Sequence, residues 1–169
     1  RCLSESISVR CGRCRYAPFD SWLIIRGIKT LALRMDRAQE NASRIVDWLI
    51  ANDDVMEVIY PGLESHPGHS IMKKQSRGFG AMVTFKVTSK ELAYKILEKV
   101  RLIKFAESLG GVETLITYPV TQTHADVPED IREANGITDC TLRLSVGIES
   151  GRDLIADLER AFAGAKEEI

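Results

Sequence analysis

No block of basic residues, no long apolar run and no phosphate-cradling glycine loop occur in this chain, and each absence removes a class of function. Lysine and arginine total 23 against 24 acidic residues, for a net charge of -1. The charges are interspersed, so nothing argues for a nucleic-acid partner or an anionic membrane surface. No apolar stretch approaches the roughly 20 residues needed to span a bilayer. The N-terminus has no basic start, apolar run and small-residue cleavage site, so no secretory signal is read there. A cytoplasmic protein with no membrane and no nucleic-acid partner is expected. Neither G-x-G-x-x-G nor G-x-x-x-x-G-K-[ST] occurs, and H-E-x-x-H, a nucleophile elbow and a paired-carboxylate signature are also missing.

Cysteine is sparse. Of the four, Cys2, Cys11 and Cys14 crowd the start and Cys140 stands alone. Cys11-Gly-Arg-Cys14 is a single C-x-x-C, whereas a structural zinc site needs a second pair or two suitably spaced histidines. His66, His69 and His124 lie far downstream, and His66-Pro-Gly-His69 has no carboxylate or cysteine cluster beside it. No metal is expected. The bland reading of the cysteines, free thiols in an irregular leader over residues 1–17, is preferred; that leader also carries Arg1, Arg10, Arg13 and Arg15.

What is present is enough for one domain with a substantial core: 169 residues, 44% of them hydrophobic. Leu31, Met35, Ala38, Ala42, Ile45 and Leu49 follow a helical spacing, so a long N-terminal helix is expected from about Asp20 to Ala51, with a break near Gly27. Val55 to Tyr60 reads as a short strand, and the polar stretch 64–77 as holding one short helix. Ala81, Val83, Phe85 and Val87 alternate with polar neighbours and predict a half-buried strand. Thr88-Ser-Lys-Glu91 reads as a capping box opening a helix to about Val100. Short strands at 102–105 and 114–118, a short helix from Asp126-Val-Pro128 to Gly136, a strand at 141–148 and a final helix capped by Ser150 complete the order. Strands and helices mix without a βαβ rhythm. The expected fold class is α+β: a mainly antiparallel sheet with helices packed on one face.

Three stretches carry candidate chemistry. In Thr141-Leu-Arg-Leu-Ser-Val-Gly-Ile-Glu149, Leu142, Leu144, Val146 and Ile148 point one way, and Thr141, Arg143, Ser145 and Gly147 the other. Arg143 is thereby placed on a polar face beside small residues, where it is either a solvated side chain or a bidentate grip for a carboxylate. Gly110-Gly111, after Glu107-Ser108-Leu109, is either a plain turn or a loop that brings Ser108 and the backbone to a ligand. In Thr123-His124-Ala125-Asp126, His124 is either an acid–base group or a hydrogen-bonding anchor for its loop.

Taken together, Pro18-Phe-Asp-Ser-Trp22, Arg26-Gly-Ile-Lys-Thr-Leu31, Glu107-Ser-Leu-Gly-Gly-Val-Glu113, Thr123-His-Ala125 and Arg143-Leu-Ser-Val-Gly-Ile-Glu149 resemble the pyridoxal-phosphate (PLP) enzymes of cysteine and methionine metabolism. That family includes cystathionine β-lyase, cystathionine γ-synthase, cystathionine γ-lyase and methionine γ-lyase. The resemblance covers about Pro18 to Ala163, in the small C-terminal domain of a fold-type I PLP enzyme, and residues 1–17 do not match it. It implies that Arg143 binds the α-carboxylate of an amino-acid substrate such as cystathionine. It further implies that Ser108 helps place that substrate, and that Glu107 and Thr123 line the region of its side chain. In such enzymes the cofactor forms an imine with the substrate and acts as an electron sink, and a lysine holds it between turnovers. The family carries that lysine in a larger preceding domain, and no such text precedes Pro18. The chain is therefore expected to supply half a site, to lack catalytic residues of its own, and to depend on a missing N-terminal PLP-binding domain. The parent is expected to be a homotetramer and a cystathionine β-lyase catalysing C–S β-elimination; the stretch 117–124 resembles β-lyase or γ-synthase members more than γ-lyases. A cystathionine γ-synthase, a cystathionine γ-lyase or a methionine γ-lyase is the alternative within the family, and a non-catalytic binding or assembly module the alternative outside it.

Overall fold

The computed structural model describes residues 17–169; the rest of the expected leader, with Cys2, Cys11 and Cys14, lies outside the described residues. The chain divides into two compact units, Arg1–Leu33 and Arg34–Ile169.

In the first unit, helix α1 (Pro18–Ile28) starts with proline in its first turn, where a missing N–H costs nothing. It buries none of its residues. Thr30 N–H turns back to the Gly27 carbonyl, and helix α2 (Leu31–Ile50) restarts one residue later. The break expected near Gly27 is present, and divides the helical stretch into two helices just after that residue.

The second unit is a five-stranded mixed sheet with helices. Its strands are β1 (Val55–Ile59), β2 (Met82–Val87), β3 (Lys104–Phe105), β4 (Leu115–Thr117) and β5 (Thr141–Ser145). They lie in the order β1-β2-β5-β4-β3. Pairing is antiparallel at β1-β2, β2-β5 and β4-β5, and parallel at β3-β4. The remaining helices are α3 (His69–Gln75), α4 (Lys90–Lys99), α5 (Glu129–Ala134) and α6 (Gly151–Lys166).

Alternation along the strands explains the core. Val83, Phe85 and Val87 of β2, Ile116 of β4, and Leu142 and Leu144 of β5 join one buried cluster. Ala42, Ile45 and Leu49 of α2, Leu92 and Ile96 of α4, and Leu154, Leu158 and Phe162 of α6 close it. Residues between these on the strands (Thr84, Arg143, Thr117 and Ser145) therefore share the opposite face.

Several sequence expectations need correction. Of the α2 stripe, Ala38, Ala42, Ile45 and Leu49 are buried, but Leu31 and Met35 are exposed. Helix α4 is capped by Ser89, whose hydroxyl accepts from Leu92 N–H, and not by Thr88. Ser150 stands at the start of α6 without a side-chain capping bond. The strand expected over 141–148 stops at Ser145. Beyond it Ile148 donates its N–H to the Val112 carbonyl and is 38% exposed, so it leaves the core face that its alternation suggested.

Candidate functional site

Arg143 sits in the middle of β5, opposite Thr84 of β2 on one side and Thr117 of β4 on the other. It is half-buried. Its Nε is fully buried and has no hydrogen-bond partner, and no acidic side chain pairs with its guanidinium among the described residues. A buried donor left unpaired costs about 1–3 kcal/mol. An arriving carboxylate would remove that cost.

The segment 106–114 is laced to the strands around this arginine. Ala106 donates its N–H to the Ile116 carbonyl at 3.1 Å, and its own carbonyl accepts from Thr117 Oγ1 at 3.2 Å. Four residues on, Gly110 N–H donates to Ser145 Oγ at 2.9 Å. Gly110 has φ +76, a left-handed conformation that glycine adopts without strain. Both anchors use the neighbours of Arg143 on its own face, Thr117 across the sheet and Ser145 two residues along. Glu107, Ser108 and Leu109 are exposed and span the arc between them. Of the candidate residues, Ser108 and Glu107 are thus carried on a segment pinned beside Arg143.

Thr123 is not joined to this group. It lies in an exposed turn after β4, and its Oγ1 contacts His124 Nδ1 at 2.8 Å. His124 N–H donates to the Pro119 carbonyl, and Tyr118 N–H to Gln122 Oε1 at 2.9 Å. The turn is self-contained. His66 and His69 likewise direct Nδ1 at backbone groups, the Gly68 N–H and the Pro61 carbonyl, and His69 stacks on Phe79.

Sequence reasoning missed the clasp just past β5. Glu149 accepts from Thr114 N–H at 2.6 Å and from Thr114 Oγ1 at 2.8 Å, while that hydroxyl accepts from Gly147 N–H at 2.8 Å. Asn41 of α2, fully buried, donates to the carbonyls of Gly147 and Glu149 at 3.1 and 2.9 Å. The available signal was an asparagine immediately before Ala42 of the apolar stripe. Gly147 is required here by space, since a Cβ would sit 2.3 Å from the Val112 carbonyl oxygen. Gly147→Ala is therefore expected to lower stability by about 3 kcal/mol, the upper range for forcing atoms into a packed site. An unchanged urea midpoint would refute it.

Two cavities, of about 550 and 410 Å³, lie away from Arg143: one between α2 and Tyr60, Leu63 and Phe79, the other between Trp48, Phe162 and Lys166. Neither is lined by a residue of the Arg143 group, and neither has its chemistry.

The profile of the Cys/Met metabolism PLP-dependent enzyme family matches residues 6–163. The chain belongs to this family. The match begins inside the segment read as a leader. A cystathionine β-lyase of Coxiella burnetii (strain RSA 493 / Nine Mile phase I) is 51% identical over 147 residues, covering 86% of this chain and 38% of that protein. The crystal structure of a cystathionine γ-lyase from Lactobacillus plantarum, complexed with L-serine, superposes with TM-score 0.84 at 45% identity, over 89% of this chain and 39% of the other. A cystathionine γ-synthase from Xanthomonas oryzae pv. oryzae, in complex with cystathionine, superposes with TM-score 0.85 at 42% identity, over 90% of this chain and 40% of the other. The chain thus spans well under half the length of these relatives. The family is enzymatic and PLP-dependent.

The described residues do not fit covalent attachment of that cofactor. A lysine that forms imines needs a lowered pKa, usually through burial. Lys86, Lys90 and Lys166 are instead bound to Glu57, Asp139 and Asp54, each at 2.7 Å. Lys95 and Lys99 share Glu168, and Lys104 donates to the Arg101 carbonyl. Lys29, Lys73 and Lys74 are exposed. The Asp139 carboxylate raises the pKa of Lys90, and Glu168 and Glu98 raise that of Lys95, away from what an imine requires. No described helix is long and apolar enough to cross a membrane.

Proposed function

We propose that this chain is the substrate-carboxylate-binding, C-terminal part of a PLP-dependent enzyme acting on carbon–sulfur bonds in cysteine and methionine metabolism. The observation that carries the reading is the buried, unpartnered Nε of Arg143 on the polar sheet face. A planar carboxylate is the ligand that matches a guanidinium edge-on, with two parallel charge-assisted bonds. Fixing the α-carboxylate there orients the rest of an amino acid, an effect of position and not of chemistry. Ser108 and Glu107, carried past Arg143 on the pinned 106–110 segment, are assigned to the amino acid beyond its carboxylate. Thr123 is assigned to the distal side-chain region, reached from the neighbouring turn.

Cystathionine is the proposed substrate, and β-elimination by a cystathionine β-lyase the proposed reaction. Support comes from the 51% identity to a β-lyase and from the cystathionine bound in the γ-synthase neighbour. γ-Lyase and γ-synthase relatives at 45% and 42% keep those activities as the second reading. The parent is proposed to be a homo-oligomer working in the cytoplasm, with the lysine-bearing domain supplied outside the described residues. Calorimetry on the complete protein tests the central assignment. An amino acid should bind about 100-fold more tightly than its amine lacking the carboxylate, the value of a bidentate charged pair. Equal affinity would defeat the assignment.

A further inference from the structure

Arg143 and the 106–110 segment are held in place by something beyond their own contacts. Thr114, fully buried, is the node. Its carbonyl accepts from Lys104 N–H at 3.1 Å, which ties it to the start of β3. Its N–H and hydroxyl both end on Glu149. Two residues earlier, the Val112 carbonyl takes the Ile148 N–H at 2.9 Å. Beyond Ser145 the segment that follows β5 therefore runs on alongside residues 112–114 and grips them, immediately downstream of Gly110. Asn41 holds the same turn from the helix side, through the carbonyls of Gly147 and Glu149.

A carboxylate is well suited to this position. It is acceptor-only and offers two oxygens, which here receive an N–H and an O–H in different directions. An amide in its place offers one oxygen and a donor pair, so it cannot accept the two bonds through separate oxygens as the carboxylate does. From this geometry we infer that Glu149 is a positioning residue: through Thr114 it sets where the 106–110 segment lies relative to Arg143, and thereby how well the site grips an amino acid. The inference rests on the reading of Arg143 as a carboxylate clamp, but it assigns a separate residue with no contact to the ligand.

The test uses the complete protein, with cystathionine as substrate. Glu149→Gln should raise KM about fivefold with kcat little changed, the size of one net hydrogen bond expressed as binding. Thr114→Val, which keeps shape and removes the hydroxyl, should do the same. The effect should be non-additive with Ser145→Ala, because both act through the same segment, anchored at Gly110. Wild-type KM in Glu149→Gln or in Thr114→Val, whatever happens to the melting temperature, overturns the inference, as does strict additivity with Ser145→Ala. Should these variants not fold, hydrogen exchange on the wild type decides. Glycine binding should slow exchange at Gly110, Thr114 and Gly147 together, and unchanged rates at those amides overturn the proposal. Arg143→Ala separates the two levels. If it leaves KM at the wild-type value, the carboxylate clamp itself fails; if it raises KM while the Glu149 and Thr114 variants do not, only the positioning role fails.

Discussion

Asp157→Ala is expected to lower the stability of the fold by about 3 kcal/mol, more than any surface substitution in this chain. Asp157 lies on α6 and is 6% exposed. Its carboxylate receives the backbone N–H groups of Arg101, Leu102 and Ile103 at 3.0 to 3.1 Å, and pairs with Arg160. The three amides lead from α4 into β3 and have no strand or helix partner of their own. Removing the carboxylate leaves a buried donor at Ile103, which costs about 1–3 kcal/mol, and weakens two more that water reaches. The acid dependence follows from the same contacts. Burial alone would raise the pKa of Asp157, but the backbone donors and Arg160 outweigh it and hold the carboxyl below the usual range. The unfolded chain has an ordinary aspartate pKa of about 3.9. A depressed folded pKa stabilises above the unfolded value, and the contribution is lost as pH falls through the folded one. Urea midpoints measured from pH 5 down to pH 2 should therefore fall steeply in the wild type and less steeply in Asp157→Asn. Parallel curves would show that the carboxylate carries no such linkage.

Asp157 also marks where sequence reading stops. The Ala38 to Leu49 part of the α2 stripe and the alternation of β2 and β5 are local and periodic, so their buried faces could be read directly from spacing. The 142–144 alternation likewise places Arg143 on the polar face from the sequence alone. The contacts that close the site have no such period. Thr114 meets Gly147 33 residues away, and Asn41 meets Glu149 across 108. Neither pairing leaves a trace in local composition. Alternation also misleads where the partner strand ends. Ile148 keeps the rhythm of β5, but the regular strand ends at Ser145 and Ile148 is 38% exposed, outside the buried core. Local composition likewise gives no hint that the Thr123 hydroxyl contacts the adjacent His124.

Arg143 provides the other large effect, and here function and stability are expected to move in opposite directions. In the complete protein Arg143→Ala should lower kcat/KM for an amino-acid substrate by about 100- to 1000-fold, equivalent to about 3–4 kcal/mol. That is the loss of two charge-assisted hydrogen bonds, each worth about 1.5–3 kcal/mol. Arg143→Lys keeps a charge but not the planar fork, so it should recover only part of the activity. Stability should not follow. In the unliganded chain Nε is buried and unpaired, so the arginine is a net burden on the fold. Arg143→Met retains the apolar stem between Thr84 and Thr117 and removes the orphaned donor. It should melt at the wild-type temperature or above while losing activity like the alanine variant. A binding residue kept at the expense of the fold behaves this way. An arginine whose role is structural would do the reverse: Arg143→Met would destabilise the protein, and whatever remained folded would bind substrate normally.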